Sequence, residues 1–191
     1  MNMRHILTAF ILTLTFFTSN IYADVPRSSW SPSSYSDTQA YVGAAFGTVN
    51  HDLAPLDEPN NLELLVGLET SETIAIEASY LDLGEAKFTF FGDSIKIAID
   101  GFTLGPVARI QASPQIELQA KIGLFFWDAE VTETLFGITD KYGDDGSDIF
   151  FGFGGMAKIN EQVSLGVRYN MYDIDGEDFS TLQAQIQFNI Q

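Results

Sequence analysis

Among the last twelve residues of the chain, 180–191, polar and apolar side chains alternate from Thr181 onward. Leu182, Ala184, Ile186, Phe188 and Ile190 share one parity, and hydroxyl or amide side chains occupy the other. Successive side chains point to opposite sides of a strand, so the segment predicts a strand with one apolar and one amide-rich face. Its length exceeds that of most soluble strands and is about what a tilted strand needs to cross a bilayer. The segment therefore favours a membrane-crossing strand.

The N-terminus has the pattern of an export signal. Arg4 and His5 precede an apolar run at 6–17, and a polar stretch then ends at Ala23. These three regions predict a signal peptide at 1–23, cleaved after Ala23. About a dozen apolar residues are too few to span a membrane as a helix. With no later long apolar run, we expect any membrane crossing to use the strands of a closed barrel.

Composition excludes several classes of function. The chain has no cysteine, which rules out disulfides and thiolate metal sites. With a net charge of -17, the chain offers no patch of lysine and arginine residues of the kind that binds nucleic acid. The acidic run 173–178 supplies oxygen atoms and a glycine but lacks the spacing of a calcium-binding EF-hand loop. We therefore expect no metal site and no cofactor, and solvated acidic loops that bridge to lipopolysaccharide through divalent ions.

The mature chain divides into strand-like segments behind a Ser/Pro-rich segment, 24–39, which we interpret as a flexible leader. The candidate strands are 40–50, 62–69, 73–83, 94–111, 116–131, 148–159, 163–172 and 180–191.

Short and long connections alternate strictly between these segments. The short ones are 70–72, 112–115 and 160–162; the long ones are 51–61, 84–93, 132–147 and 173–179. This asymmetry is typical of membrane barrels. Residues 40–191 are therefore predicted to be one all-β domain, an eight-stranded antiparallel up-and-down transmembrane β-barrel with short periplasmic turns and longer extracellular loops.

The two faces of the strands distinguish a membrane barrel from a lipocalin-like soluble barrel. In the fifth strand, bulky apolar residues such as Ile122 and Leu124 oppose Glu117, Gln119 and Lys121. A lipocalin would bury the bulky face and expose a heavily charged one. The polar face here carries small residues and few charges, which suits the narrow interior of an eight-stranded barrel.

Two positions do not fit this pattern. Pro106 falls inside the fourth strand on the outward parity, and a closed barrel has no edge at which its missing donor is harmless. We therefore expect a bulge or an early strand end near Gly105-Pro106. Leu65 lies on the inward parity of the second strand, and the sequence offers no explanation for it.

Several segments carry a family resemblance over nearly the whole mature chain. They are 41–47 (YVGAAFG), 76–84 (IEASYLDLG), 120–129 (AKIGLFFWDA), 163–169 (VSLGVRY) and the alternating last strand. With these segments the chain resembles the OmpA-type transmembrane barrel domain and other small eight-stranded outer-membrane proteins. What these segments share is mostly the alternation of residue types along a strand, which specifies the architecture better than the function.

The resemblance implies location in the outer membrane of a Gram-negative bacterium, contact with outer-membrane lipid and lipopolysaccharide, insertion by the barrel-assembly machinery, and a monomer. There are two departures. Many members end in an aromatic residue, whereas three residues follow Phe188 here. Some members continue into a peptidoglycan-binding domain, which this sequence lacks, so we expect no tether to the cell wall.

Charged residues on the inward parity are predicted to form a network inside the barrel, because a lone charge in a narrow interior is costly. They are Glu77, Arg109, Glu117, Lys121, Lys158 and Arg168. Two consequences stay open: a plug that fills the lumen and fixes strand register, or a gated conduit whose ion pairs switch partners. An eight-stranded barrel is too narrow for an open aqueous channel.

The functional prediction is a non-enzymatic outer-membrane protein with a structural and surface-display role. The alternatives are a narrow porin-like channel for ions or small solutes, and an adhesin or receptor whose acidic loops bind a host or phage surface ligand. His51 is the one histidine left after cleavage. No motif joins it to Asp52, Ser147 or Ser180 as a catalytic triad.

Aromatic residues cluster near the predicted strand ends, where interfacial girdles would account for most of them. They are Phe88, Phe90, Phe91, Phe102, Phe126, Trp127, Phe136, Phe150, Phe151, Tyr172 and Phe179. The group at 88–91 falls in a predicted loop and has a second interpretation as an adhesive tip.

Overall fold

The computed structural model describes residues 39–51, 53 and 55–190. Within them, eight antiparallel strands each pair with the next, and the last pairs with the first to close a barrel. The predicted fold class is confirmed. The strands are β1 (Ala40–His51), β2 (Asn60–Glu69), β3 (Ile74–Phe90), β4 (Asp93–Gln111), β5 (Ile116–Leu135), β6 (Ile138–Lys158), β7 (Val163–Ile174) and β8 (Glu177–Ile190).

The predicted signal peptide, 1–23, lies outside the described residues, as does the predicted leader apart from Gln39. No helix in the described part of the chain is long and apolar enough to cross a membrane.

The alternating pattern places apolar side chains outside the barrel and mostly small or polar ones inside. In β5, Leu118, Ile122 and Leu124 are exposed, whereas Gln119 and Lys121 are buried. The same division holds in β8, where Leu182 is exposed and Gln183 buried. An apolar outer band is what contact with lipid requires. The predicted assignment of the two faces is therefore correct.

Three of the four predicted long loops are wrong, because strands continue through them. β3 and β4 meet at Phe91-Gly92, β5 and β6 at Phe136-Gly137, and β7 and β8 at Asp175-Gly176. Both residues of each turn have positive φ. This is the backbone of a type I′ turn, whose twist matches that of the strands it joins. Of the four predicted long loops, the one between β1 and β2 is the only one whose described residues, 53 and 55–59, lie outside strands.

The β3–β4 and β5–β6 hairpins extend the barrel wall at the end opposite the short turns. Residues 85–90, 93–99, 129–135 and 138–147 of β3 to β6 form a four-stranded layer, which we call the extracellular sheet. The group at 88–91 is therefore part of a hairpin, with Phe88 and Phe90 in β3 and Phe91 in the turn.

Pro106 causes neither a bulge nor an early strand end, so that prediction is wrong. β4 continues to Gln111, and Pro106 stays opposite Ile76 of β3. Toward β5, the pairs Leu104–Leu124 and Val107–Lys121 share one register. Pairing with β5 is interrupted only between them. The irregularity lies instead between Asp82 and Glu85, where Gly84 has a φ of 79°.

Leu65 belongs to a small apolar cluster inside the barrel with Tyr41, Ala75 and Val107. The Tyr41 ring lies across Gly67, its partner in the β1–β2 ladder, so that a Cβ atom at Gly67 would overlap the ring. The aromatic ring covers a strand glycine and holds the register of the two strands.

We predict that Gly67→Ala destabilises the barrel by about 1–3 kcal/mol, because the Tyr41 ring must leave its position. Gly155→Ala is the matched control, since a Cβ atom there would lie 3.7 Å from Leu118 Cδ2, an ordinary contact. Urea unfolding of the protein refolded into lipid vesicles measures both. Equal free energies of unfolding for the two variants would contradict the predicted overlap.

Candidate functional site

The centre of the lumen is organised around Glu77 of β3. Lys121 of β5 donates to Glu77 Oε1 at 2.8 Å. Arg168 of β7 donates to Oε1 at 2.9 Å and to Oε2 at 3.3 Å. The Tyr41 hydroxyl donates to Oε2 at 3.0 Å. All four residues are buried. A single carboxylate thus joins three other strands across the lumen through charge-assisted hydrogen bonds.

Glu63 of β2 completes this central cluster, and the sequence analysis missed it. Its Oε1 accepts from the Ser79 hydroxyl at 2.6 Å and lies 3.8 Å from Lys121 Nζ and 3.9 Å from an Arg168 nitrogen. Lys121 also donates to Thr103 at 3.2 Å. Two carboxylates therefore balance two cations, which limits the cost of burying them.

A second cluster lies toward the short-turn end of the barrel. Arg109 binds both oxygens of Glu117, through Nε and a terminal nitrogen, at 2.9 Å each, and also contacts Glu69. Gln119 links the two clusters, because it donates to Glu117 at 2.9 Å and accepts from Arg168 at 3.3 Å. Five of the six predicted residues thus lie in one connected polar network.

Lys158 is not part of that network. Its side chain is exposed, and it donates only to Gln111 Oε1, at 3.4 Å. The parity of β6 places it on the lumen side, but it is the last residue of the strand. It lines a cavity of about 80 Å³ at the short-turn mouth of the barrel, beside Arg109 and Glu117.

The other half of the lumen is filled mainly by apolar side chains. Phe125, Phe150 and Tyr172 pack ring against ring, with centroids 5.2 Å and 5.4 Å apart around Tyr172. We call the whole group the apolar plug. Its members are Val49, Leu81, Leu83, Ile99, Phe125, Trp127, Phe150, Tyr172, Ile174 and Phe179. Lys121 Nζ lies 4.9 Å from the centroid of the Phe150 ring, at the boundary with the charges.

The apolar plug corrects the assignment of aromatic residues to interfacial girdles. Trp127, Phe150, Tyr172 and Phe179 are buried inside the barrel. The Trp127 indole donates to Asp148 at 2.7 Å, so its polar atom is paired within the chain. Phe126, in contrast, is exposed on the outer surface, where a girdle residue belongs.

His51 lies above the plug and is held by backbone groups. Its Nδ1 accepts from Leu53 N at 3.3 Å, and its Nε2 lies 3.0 Å from Asp57 O, so Nε2 carries the proton that it donates. The ring also packs against Phe179, with centroids 5.9 Å apart. Within the described residues, no group of three or more His, Asp or Glu side chains is placed to hold a metal ion.

We predict that Glu77→Gln destabilises the barrel by about 3–5 kcal/mol, because it leaves two buried cations facing one carboxylate. Glu77→Gln/Lys121→Met restores the charge balance and should recover part of the loss. Glu130→Gln, which breaks the exposed pair with Lys141, is the control and should leave stability close to that of the wild type, because water screens an exposed ion pair. Urea unfolding in lipid vesicles separates these cases. A loss for Glu77→Gln no larger than that of the control would contradict a central structural role.

Comparison with known proteins supports the interpretation of this architecture. A family model described as the outer membrane protein beta-barrel domain matches residues 9–191. No curated protein sequence matches the chain.

Solved structures share the fold at low sequence identity. Ail of Yersinia pestis, in complex with the heparin analogue sucrose octasulfate, is 15% identical with a TM-score of 0.55, over 80% of this chain and 97% of Ail. Neisserial surface protein A is 14% identical with a TM-score of 0.53, over 80% and 97%. The N-terminal barrel of Pseudomonas aeruginosa OprF is 11% identical with a TM-score of 0.54, over 80% and 99%.

The family match spans almost the whole chain, and the closed barrel has the lipid-facing apolar band that outer-membrane proteins require. The chain is a member of the outer-membrane β-barrel protein family and is located in the outer membrane.

Proposed function

We propose that this protein is a closed, non-enzymatic barrel with a structural and surface-display role in the outer membrane. The observation that carries the proposal is the apolar plug, which fills the extracellular half of the lumen above the two charge clusters. The apolar outer band contacts outer-membrane lipid, and we propose insertion by the barrel-assembly machinery. Because the lumen is closed and packed, the barrel holds the extracellular sheet in a fixed position.

The conduit alternative requires ions to pass both halves of the lumen. The charges of the polar half are held by direct hydrogen bonds of 2.8 to 3.3 Å around Glu77. Even if those pairs exchanged partners, an ion would still meet Phe125, Phe150 and Tyr172. Moving an ion into apolar surroundings without partners costs far more than thermal energy. A switch among the charges alone would therefore not open a path.

A catalytic role has no supporting geometry in the described residues. Both His51 ring nitrogens are bound by backbone groups of the β1–β2 connection, so neither is available as a general base. The two buried carboxylates of the central cluster, Glu63 and Glu77, lie beneath the apolar plug and pair with Lys121 and Arg168 of the same chain. These contacts support a non-enzymatic role.

We predict that the refolded wild-type protein is electrically silent in a planar bilayer. Phe125→Ala/Phe150→Ala, which removes two rings of the plug, should stay silent because the Glu77 cluster still closes the polar half, and adding Glu77→Ala should give measurable conductance. A mobility shift on unboiled gels verifies that each sample is folded before it is added. Discrete conductance steps from wild-type protein that change in Glu77→Ala would contradict the closed barrel and favour the gated conduit.

A further inference from the structure

The extracellular sheet has two faces of different chemistry. We call the face that continues the lumen the inner face; Ile97 and Ala129 on it pack against the apolar plug. Strand alternation and register place further residues on the same side. The larger apolar residues of the inner face are Phe88, Phe90, Ile95, Ile97, Val131, Leu135, Ile138 and Tyr142.

The inner face is open because no described strand stands opposite it. β6 pairs with β7 only from Phe150 onward, and β7 ends at Ile174. On the other side, β1 ends at His51. Side chains on the face are correspondingly exposed, to 60% for Phe90, 59% for Tyr142 and 41% for Leu135. An exposed apolar surface of this kind marks an interaction site.

Charge is distributed unequally between the two faces. The three lysines of the sheet, Lys87, Lys96 and Lys141, all lie on the outer face by strand parity. Two of them form ion pairs there, Lys96 with Glu85 at 2.9 Å and Lys141 with Glu130 at 2.6 Å.

The inner face carries carboxylates and no lysine or arginine. Its acidic residues are Asp93, Glu133, Asp140 and Asp144. Glu133 and Asp140 are direct cross-strand partners. Like charges placed directly opposite each other destabilise a sheet, and here no neighbouring cation on the same face offsets them. A cationic ligand would supply the missing positive charge.

We propose that the inner face of the extracellular sheet is a docking surface for a cationic amphipathic segment of another polypeptide. The apolar side chains of the partner segment pack on Phe90, Val131 and Tyr142 of this face. The lysines or arginines of the segment pair with Glu133, Asp140 and Asp144. Charge complementarity selects this occupant. A second copy would set the same carboxylates against each other, and an anionic polysaccharide or lipid surface would be repelled.

The test uses protein refolded into nanodiscs of zwitterionic phospholipid and a fluorescent synthetic amphipathic peptide of leucine and lysine. Fluorescence anisotropy at physiological salt should show binding above that of empty nanodiscs. A scrambled peptide of the same composition, and a leucine–glutamate peptide, should bind at least about tenfold more weakly. Equal binding of the scrambled peptide, or no binding above empty nanodiscs, overturns the proposal.

Two matched double variants locate the site. Glu133→Gln/Asp140→Asn neutralises the opposed pair on the inner face and should weaken binding about tenfold, as expected for two exposed ion pairs. Asp128→Asn/Asp145→Asn neutralises an equally opposed pair on the outer side of the barrel wall, at the base of the sheet, and should change binding by no more than about twofold, because salt screens distant charges. Equal weakening by both variants would mean attraction to the overall negative field and would overturn the assignment.

The apolar contribution is tested with Leu135→Ser/Tyr142→Ser. Both side chains are exposed, so the barrel should remain folded, which the gel mobility shift verifies. Peptide affinity should fall at least about fivefold. Unchanged affinity overturns docking on this face. Self-association of wild-type protein in sedimentation that this variant abolishes would assign the face to a second copy instead and also overturn the proposal.

Discussion

The ion pairs of Glu77 with Lys121 and Arg168 connect strands that are not neighbours in the barrel wall. Backbone pairing joins β3 only to β2 and β4, whereas Glu77 reaches β5 and β7 across the lumen. Side chains alternate between the lumen and the lipid along each strand. A shift of one residue in the pairing register of a strand would therefore turn its charged side chain toward lipid. We therefore propose that the central cluster helps to fix the register of β1, β3, β5 and β7, on which the position of the extracellular sheet depends.

The lumen separates its polar and apolar contents along the axis. The charges and most of the buried amides lie in the half nearest the short turns, and the apolar plug occupies most of the half nearest the long hairpins. Lys121 lies at the boundary, bound to Glu77 below and close to the Phe150 ring above. A cation held against a ring face is favourable. The apolar surface then continues through Ile97 and Val131 onto the inner face of the extracellular sheet.

Strand parity in the sequence was sufficient to predict the barrel, its two faces and the inward direction of Glu77 and Lys121. The same parity places Phe125 and Trp127 inside, but grouping the aromatics by strand end hid this. Lys158 has the parity of a lumen-facing residue but is the last residue of its strand. Parity predicts which face a side chain lies on and not its position along the barrel axis. Glu63 was missed because Leu65 obscured the polar face of β2.

The hairpins at Phe91-Gly92 and Phe136-Gly137 were missed for a different physical reason, whereas the turn at Asp175-Gly176 carries the usual Asp-Gly signal and could have been predicted from it. Type I′ turns favour Asn-Gly or Asp-Gly, and Phe-Gly is not such a signal. Phe91 and Phe136 nevertheless adopt φ of 47° and 51° and are 94% and 93% exposed. A bulky residue in this conformation costs free energy, as does Glu133 opposite Asp140. Departures from local stability tend to lie at functional sites. In this molecule the two strained phenylalanines and the opposed Glu133–Asp140 pair lie in the two hairpins that build the extracellular sheet, the surface on which we propose that a partner docks.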